Sequence, residues 1–163
     1  MTRGYAQFVE IHVPPPAAWT AFTEEPWLRR WYCADATVEP HRGGAFRVRL
    51  RDGRVRDATI DVWEPNRRLR LIYFPEADYV AAGDPGDAGP VVEDVLFDTK
   101  PGSHSTVVRV MGAGVPDDRA WDGYYKRVRL GWAYLLHELK RSLEADVAPD
   151  GQPKVAAARP ASR

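Results

Sequence analysis

The stretch that decides the fold is RLGWAYLLHELKRSLE, residues 129–144 of a 163-residue chain. Apolar residues recur in it at three- and four-residue spacing, and the spacing extends upstream to Trp121, which predicts one long helix with a single apolar face. Gly131 interrupts this helix beside Trp132, although glycine inside a helix costs about 1 kcal/mol relative to alanine. Two explanations are open. The missing side chain lets the helix approach a sheet closely, or it leaves space for a ligand beneath the helix.

The composition is typical of one globular domain and argues against several functional classes. The chain carries 23 basic and 23 acidic residues, so no net charge draws it towards nucleic acid or an anionic membrane. Cys33 is the only cysteine and the four histidines are scattered, so we expect no disulfide, no metal and no cofactor. Neither a signal peptide nor an apolar run of about 20 residues is present, and we therefore expect a cytoplasmic protein without a membrane segment.

The rest of the chain predicts an antiparallel sheet interrupted once by helices. Alternation in YAQFVEIHV, residues 5–13, indicates a strand, and PPPAAWTAFTEEPWLRRWY, residues 14–32, indicates two short helices. From ADATVE at residue 34 the period changes to two, most visibly in GGAFRVRLRDG, which predicts a meander of strands as far as residue 114. We therefore expect one domain over residues 1–145 that ends with the long helix.

Two segments carry no apolar periodicity. Residues 75–90 are rich in glycine, proline and aspartate and form an unusually long connection, which we expect to be the mobile edge of a cavity entrance. Residues 146–163 follow the long helix without core residues, and we expect a disordered or weakly docked tail.

Four motifs in this order resemble those of a known superfamily. VPPPAAWTAFTEEPWLRRWY, GGAFRVRLRDG, VWEPNRRLRL and GWAYLLHELKRSLE are similar to the START-like helix-grip (SRPBCC) pattern over residues 5–145. Within it, the chain resembles the branch named after the C-terminal domain of the activator of the ninety-kilodalton heat-shock ATPase. The resemblance implies an α+β fold in which a curved antiparallel sheet wraps around a long C-terminal helix and leaves a hydrophobic cavity. We do not expect the chaperone-activating role, because the companion N-terminal domain has no counterpart in this sequence.

Aromatic residues on the predicted inner surfaces could line such a cavity or could simply fill the core. The Gly-Trp pair at residues 131 and 132 matches the family pattern on the C-terminal helix. The candidate cavity residues are Trp31 from the second short helix, Phe46, Tyr73 and Phe97 from strands, and Trp121, Tyr124, Gly131 and Trp132 from the long helix.

Ionisable residues on the strands form no catalytic motif. The period-two pattern is interpreted as placing most of them on the solvent side. The residues in question are Glu10, His12, Glu93, Asp94 and His104. A basic outer patch on one hairpin is predicted from Arg47, Arg49, Arg51, Arg54 and Arg56. No aromatic residue interleaves with these arginines, so we do not expect nucleic-acid binding.

Three functional interpretations follow, since a fold alone does not choose among them. The first is a protein that binds a small hydrophobic or aromatic ligand between the C-terminal helix and the sheet, without catalysis. The second is an enzyme on the same fold, such as a polyketide aromatase/cyclase, that confines a folded substrate. The third is a stress-response or regulatory interaction module whose cavity is filled by its own side chains. We expect a monomer or a weak homodimer.

Overall fold

The strands and helices follow one another in the predicted order. The computed structural model describes residues 1–75 and 89–145. The strands are β1 (Thr2–Ile11), β2 (Asp35–Val38), β3 (Ala45–Arg49), β4 (Val55–Glu64), β5 (Arg68–Tyr73), β6 (Val91–Thr99) and β7 (Thr106–Pro116). The helices are α1 (Pro15–Thr23), α2 (Glu25–Trp31) and α3 (Asp122–Ala145), the last preceded by a 3₁₀ turn at Arg119–Trp121. The expected tail at 146–163 and residues 76–88 of the expected entrance loop lie outside the described residues.

The seven strands form one antiparallel sheet in the order β1-β7-β6-β5-β4-β3-β2. The first strand pairs with the last one, and β2 forms the opposite edge. The register shifts between Arg3 and Tyr5 in β1 and between Ile60 and Val62 in β4, and such bulges bend a strand and increase its twist. The α+β class and the antiparallel meander expected from the sequence are confirmed.

Helix α3 packs its apolar stripe into the core. Its contacts run along β1 and reach β7, α1 and α2. The buried residues recur at three- and four-residue spacing, which places them on one face of the helix. They are Tyr124, Val128, Trp132, Leu136, Leu139 and Leu143.

Helices α1 and α2 fill one end of the core with aromatic rings. Prolines occupy the first positions of α1, where a backbone N–H has no partner within the helix. The ring centroid of Phe22 lies 5.1 Å from that of Trp31 and 5.9 Å from that of Trp132. Trp31 donates its indole N–H to the Ala21 carbonyl at 2.8 Å, so its polar atom is satisfied inside the core.

Two interpretations of the strand residues are wrong. Glu93 is fully buried, because β6 turns Val91, Glu93 and Val95 towards the core together. Arg56 does not belong to the basic outer patch, because it shares the inner face of β4 with Ala58. Its side chain is only 15% exposed. The sheet therefore carries an ion pair on its inner face.

Candidate functional site

A buried carboxylate lies at the centre of the candidate site. Glu93 accepts hydrogen bonds from the Tyr5 hydroxyl and, at 2.7 Å, from the Trp132 indole N–H. Nη1 of Arg56 lies 3.1 Å from the other carboxylate oxygen and forms an ion pair with it. A buried carboxylate is unfavourable unless donors and a cation replace the water that it loses. This site supplies both.

A glycine on β7 allows Tyr5 to reach this carboxylate. Tyr5 of β1 and Glu93 of β6 both pair with Gly112 of β7, which lies between them in the sheet. A Cβ added at Gly112 would overlap the Tyr5 ring, so any side chain there would displace the ring. The ring therefore lies across the glycine with its hydroxyl directed at Glu93.

Two further tyrosines connect the carboxylate with α3. The Tyr73 hydroxyl lies 3.5 Å from Glu93 and 3.1 Å from the Tyr124 hydroxyl. Burial raises the pKa of Tyr5 and of Tyr73 above the ordinary value of a phenol. The negative charge of Glu93 raises both pKa values further, and the positive charge of Arg56 lowers them by less than the other two effects raise them. Both phenols therefore stay protonated and can donate hydrogen bonds.

Arg56 links the buried cluster to the surface. Its guanidinium lies 4.4 Å from the centroid of the Tyr73 ring, a cation–π contact, and Nη1 donates to the Tyr32 hydroxyl at 3.2 Å. Burial is the largest single effect and alone would lower the pKa of Arg56, but the charge of Glu93 and the neighbouring tyrosines together outweigh it and raise the pKa well above its ordinary value. Arg56 is therefore a fixed positive charge.

A pocket of about 370 Å³ opens beside Arg56, between the middle of α3 and the β3–β4 hairpin. The wall on the side of α3 includes Tyr124, Val128, Gly131, Trp132 and Leu135. The wall on the side of the hairpin consists of Leu50, Arg51, Asp52, Arg54 and Arg56. Apolar groups thus form much of the α3 side and charged groups most of the hairpin side.

Gly131 keeps this pocket open. A Cβ built at Gly131 would meet nothing within 4 Å, apart from its own chain neighbours and the helix backbone around it. A glycine that served close packing of α3 on the sheet would show the opposite, as Gly112 does against Tyr5. The close-packing explanation of Gly131 is therefore wrong, and the missing side chain leaves open space at the pocket wall.

Half of the eight predicted cavity residues lie at or next to this pocket. Tyr124, Gly131 and Trp132 line it, and Tyr73 lies beneath it in contact with Arg56. The other four do not line it and are buried in the core. They are Trp31, Phe46, Phe97 and Trp121.

The charged part of the site was not predicted from the sequence. Glu93 and Arg56 are in phase with the apolar residues of their own strands, two positions from Val91 and Ala58 respectively. This alternation within each strand predicts that both side chains point to the core, and here it outweighs the general tendency of charged residues to lie on the surface. Tyr5 begins the strand predicted over residues 5–13, but nothing in the sequence pairs it with Glu93.

Within residues 1–75 and 89–145, no group of three or more His, Cys, Asp or Glu side chains is placed to hold a metal ion. No helix among the same residues is long and apolar enough to cross a membrane.

The architecture and the sequence together define the class of this protein. A seven-stranded antiparallel sheet with a long C-terminal helix is the helix-grip fold of the SRPBCC superfamily. Residues 12–144 match the family described as Activator of Hsp90 ATPase homolog 1-like protein, and the chain belongs to this family. No curated protein matches the sequence.

Solved structures with the same fold have low sequence identity to the chain. MLL2253 from Mesorhizobium loti is 21% identical with a TM-score of 0.74, over 90% of this chain and 100% of that one. The Aha1 dimer from Colwellia psychrerythraea is 19% identical with a TM-score of 0.71, over 87% and 96%. DynU16, from the dynemicin biosynthetic locus, is 18% identical with a TM-score of 0.70, over 93% of this chain and 49% of DynU16. At these identities the likeness concerns the fold alone.

Proposed function

We propose that this protein binds a small hydrophobic or aromatic ligand in the pocket between α3 and the β3–β4 hairpin. The observation that carries the proposal is Gly131, which opens the wall of the pocket at the expense of helix stability. Next to it, Trp132, Val128 and Leu135 offer an apolar surface. A pocket of about 370 Å³ lies near the lower end of the range for small-molecule sites, which favours a ligand of two or three rings.

Binding without turnover fits the chemistry of the site best. The carboxylate of Glu93 already accepts hydrogen bonds from Tyr5 and Trp132 and pairs with Arg56. A general base must instead reach the proton that it abstracts. Glu93 is fully buried and does not line the pocket, which supports a role in holding Trp132 and Arg56 in place.

One observation favours a cyclase-like enzyme as the second candidate. The hydroxyls of Tyr73 and Tyr124 lie 3.1 Å apart and connect Glu93 with the pocket wall. A phenol that donates a hydrogen bond to a ligand carbonyl would favour its enolisation. Conversion of an enolisable polycarbonyl compound by the native protein, lost in Tyr124→Phe and in Tyr73→Phe, would replace the binding proposal with this one.

The test of binding uses N-phenyl-1-naphthylamine, a neutral aromatic probe whose fluorescence rises in apolar sites. We expect the native protein to enhance the fluorescence and Gly131→Leu to weaken the affinity roughly tenfold or more, because leucine occupies the pocket. The matched control is Gly123→Leu, the same change on an exposed position of α3 outside the pocket, which should retain the affinity. Equal affinity of Gly131→Leu and native protein would contradict the proposal. No binding at all would favour an interaction module with a filled interior.

We infer that the protein works in the cytoplasm as a monomer or weak homodimer. A related structure, that of Aha1 from Colwellia psychrerythraea, is a dimer. Sedimentation velocity over a hundredfold concentration range checks the oligomeric state. A stable dimer at the lowest concentration would contradict it.

A further inference from the structure

We propose that the ligand carries an oxyanion, such as a carboxylate, and that Arg56 binds it. This inference rests on the proposed function, since it names the chemical class of the ligand for the same pocket. It follows from the charge of the pocket wall and from the geometry of Arg56.

The described wall of the pocket has an excess of positive charge. Four arginines line it, Arg51, Arg54, Arg56 and Arg127, against one lining carboxylate and the buried Glu93 that pairs with Arg56. The one lining carboxylate, Asp52, already pairs with Arg54 at 2.6 Å. A pocket with a low-dielectric wall and an excess of one sign of charge favours a ligand of the opposite sign. An anionic ligand is therefore preferred over a neutral or cationic one of the same shape.

Arg56 is oriented to bind a second anion. All of its described hydrogen bonds, to Tyr32 and Glu93, are donated by Nη1. Nη2 and Nε are the donors that remain for a group entering the pocket, which Arg56 itself lines. A guanidinium has a planar fork that matches a carboxylate through two parallel hydrogen bonds. Contact with the Tyr73 ring fixes the plane of this fork before a ligand arrives.

Arg51 adds attraction at the mouth of the pocket. It lies in the turn between β3 and β4 and donates through Nη2 to the backbone carbonyls of Arg29 and Arg30, at 3.1 and 3.4 Å. These contacts hold its charge at the pocket wall but do not neutralise it. A more exposed charge contributes mainly salt-dependent attraction. Arg56 is therefore expected to set affinity, and Arg51 to add a smaller effect that salt removes.

The experiment compares two ligands of the same shape, 2-naphthoate and the neutral 2-naphthamide, by isothermal titration calorimetry. We expect native protein to bind 2-naphthoate at least about tenfold more tightly, because a charge-assisted bidentate contact exceeds a neutral one by this margin. Arg56→Lys keeps the charge beside Glu93 but lacks the fork, and should lose most of the preference. Arg51→Gln should lose a smaller part, and only at low salt. The control is Arg47→Gln, the same change on the exposed face of β3, which should leave the preference intact.

The outcomes separate this inference from the proposed function. Equal affinity for the two compounds, with both lost in Gly131→Leu, would overturn the oxyanion inference and leave the binding function standing. A preference for 2-naphthoate that survives Arg56→Lys and Arg51→Gln, both checked for native circular dichroism, would overturn the assignment to these arginines. If neither compound binds, both the inference and the proposed function fail.

Discussion

At the scale of single residues, the site depends on one pair of opposite charges that the fold buries together. Glu93 has no exposed surface and Arg56 has little, so each compensates for the desolvation of the other. A buried ion pair adds little net stability, but removal of one partner is strongly destabilising because it leaves the other charge buried without compensation. Tyr5 and Trp132 complete the hydrogen bonds of the carboxylate.

The first prediction concerns this pair. Glu93→Leu should lower the free energy of unfolding by about 3 kcal/mol or more, because it leaves the Arg56 charge partly buried without a partner. The double variant Glu93→Leu with Arg56→Met should recover a large part of the loss, since no charge is then stranded. Urea denaturation measures both. A double variant that loses the sum of two single losses would show that the two residues act independently.

The second prediction compares two glycines. Gly131→Ala should raise the free energy of unfolding by about 0.5–1 kcal/mol, because alanine is the better helix residue and its Cβ meets nothing within 4 Å. Gly112→Ala, the same change, should destabilise the protein because the added methyl overlaps the Tyr5 ring. Thermal denaturation of the two variants checks the opposite signs. Destabilisation by Gly131→Ala would mean that no open space exists beneath α3.

At the scale of secondary-structure elements, periodicity predicted more of the fold than of the site. The three-and-four spacing of α3 and the alternation of the strands predicted the element order and the inner faces. The same alternation places Glu93 inward with Val91, yet general burial tendencies argued against it. Which aromatic residues fill the core and which line the pocket depends on contacts between elements distant in the chain, such as Phe22 with Trp132, that spacing alone does not specify.

The third prediction concerns the outer face of β5 and β6. Asp94 accepts hydrogen bonds from Arg68 at 2.8 Å and from Arg70 at 3.1 Å. Burial alone would raise the pKa of Asp94, but the two arginines outweigh it and lower the pKa below the ordinary value. A carboxylate with a lowered folded-state pKa stabilises the fold above its unfolded pKa of about 4, and this contribution is lost as the pH falls through the folded-state value.

Asp94→Asn should therefore lower stability at pH 7 and reduce the loss of stability between about pH 5 and pH 2. Urea denaturation at a series of pH values measures this. Asp98→Asn, an exposed position on the same strand whose carboxylate lies 3.5 Å from Arg109, is the control and should change the acid profile less. An unchanged profile in Asp94→Asn would show that the two arginines do not stabilise the native state through this carboxylate.

At the scale of the whole molecule, the helix-grip architecture separates a filled core from an open pocket. Helices α1 and α2 fill one end with aromatic rings, whereas the middle of α3 faces the β3–β4 hairpin across open space. Trp132 belongs to both regions, because its ring stacks on Phe22 and also lines the pocket. The indole N–H of Trp132 donates to Glu93, so its NMR signal is expected to change when a ligand enters the pocket.

The most direct test of the binding pocket is the ¹H–¹⁵N spectrum of the six tryptophan indoles during titration with 2-naphthoate. The account predicts that the Trp132 signal shifts most, because the ring lines the pocket and its N–H is held by Glu93. The signals of Trp27 and Trp63, which do not line this pocket, should stay in place. A titration that moves Trp27 or Trp63 and leaves Trp132 unchanged would contradict the account.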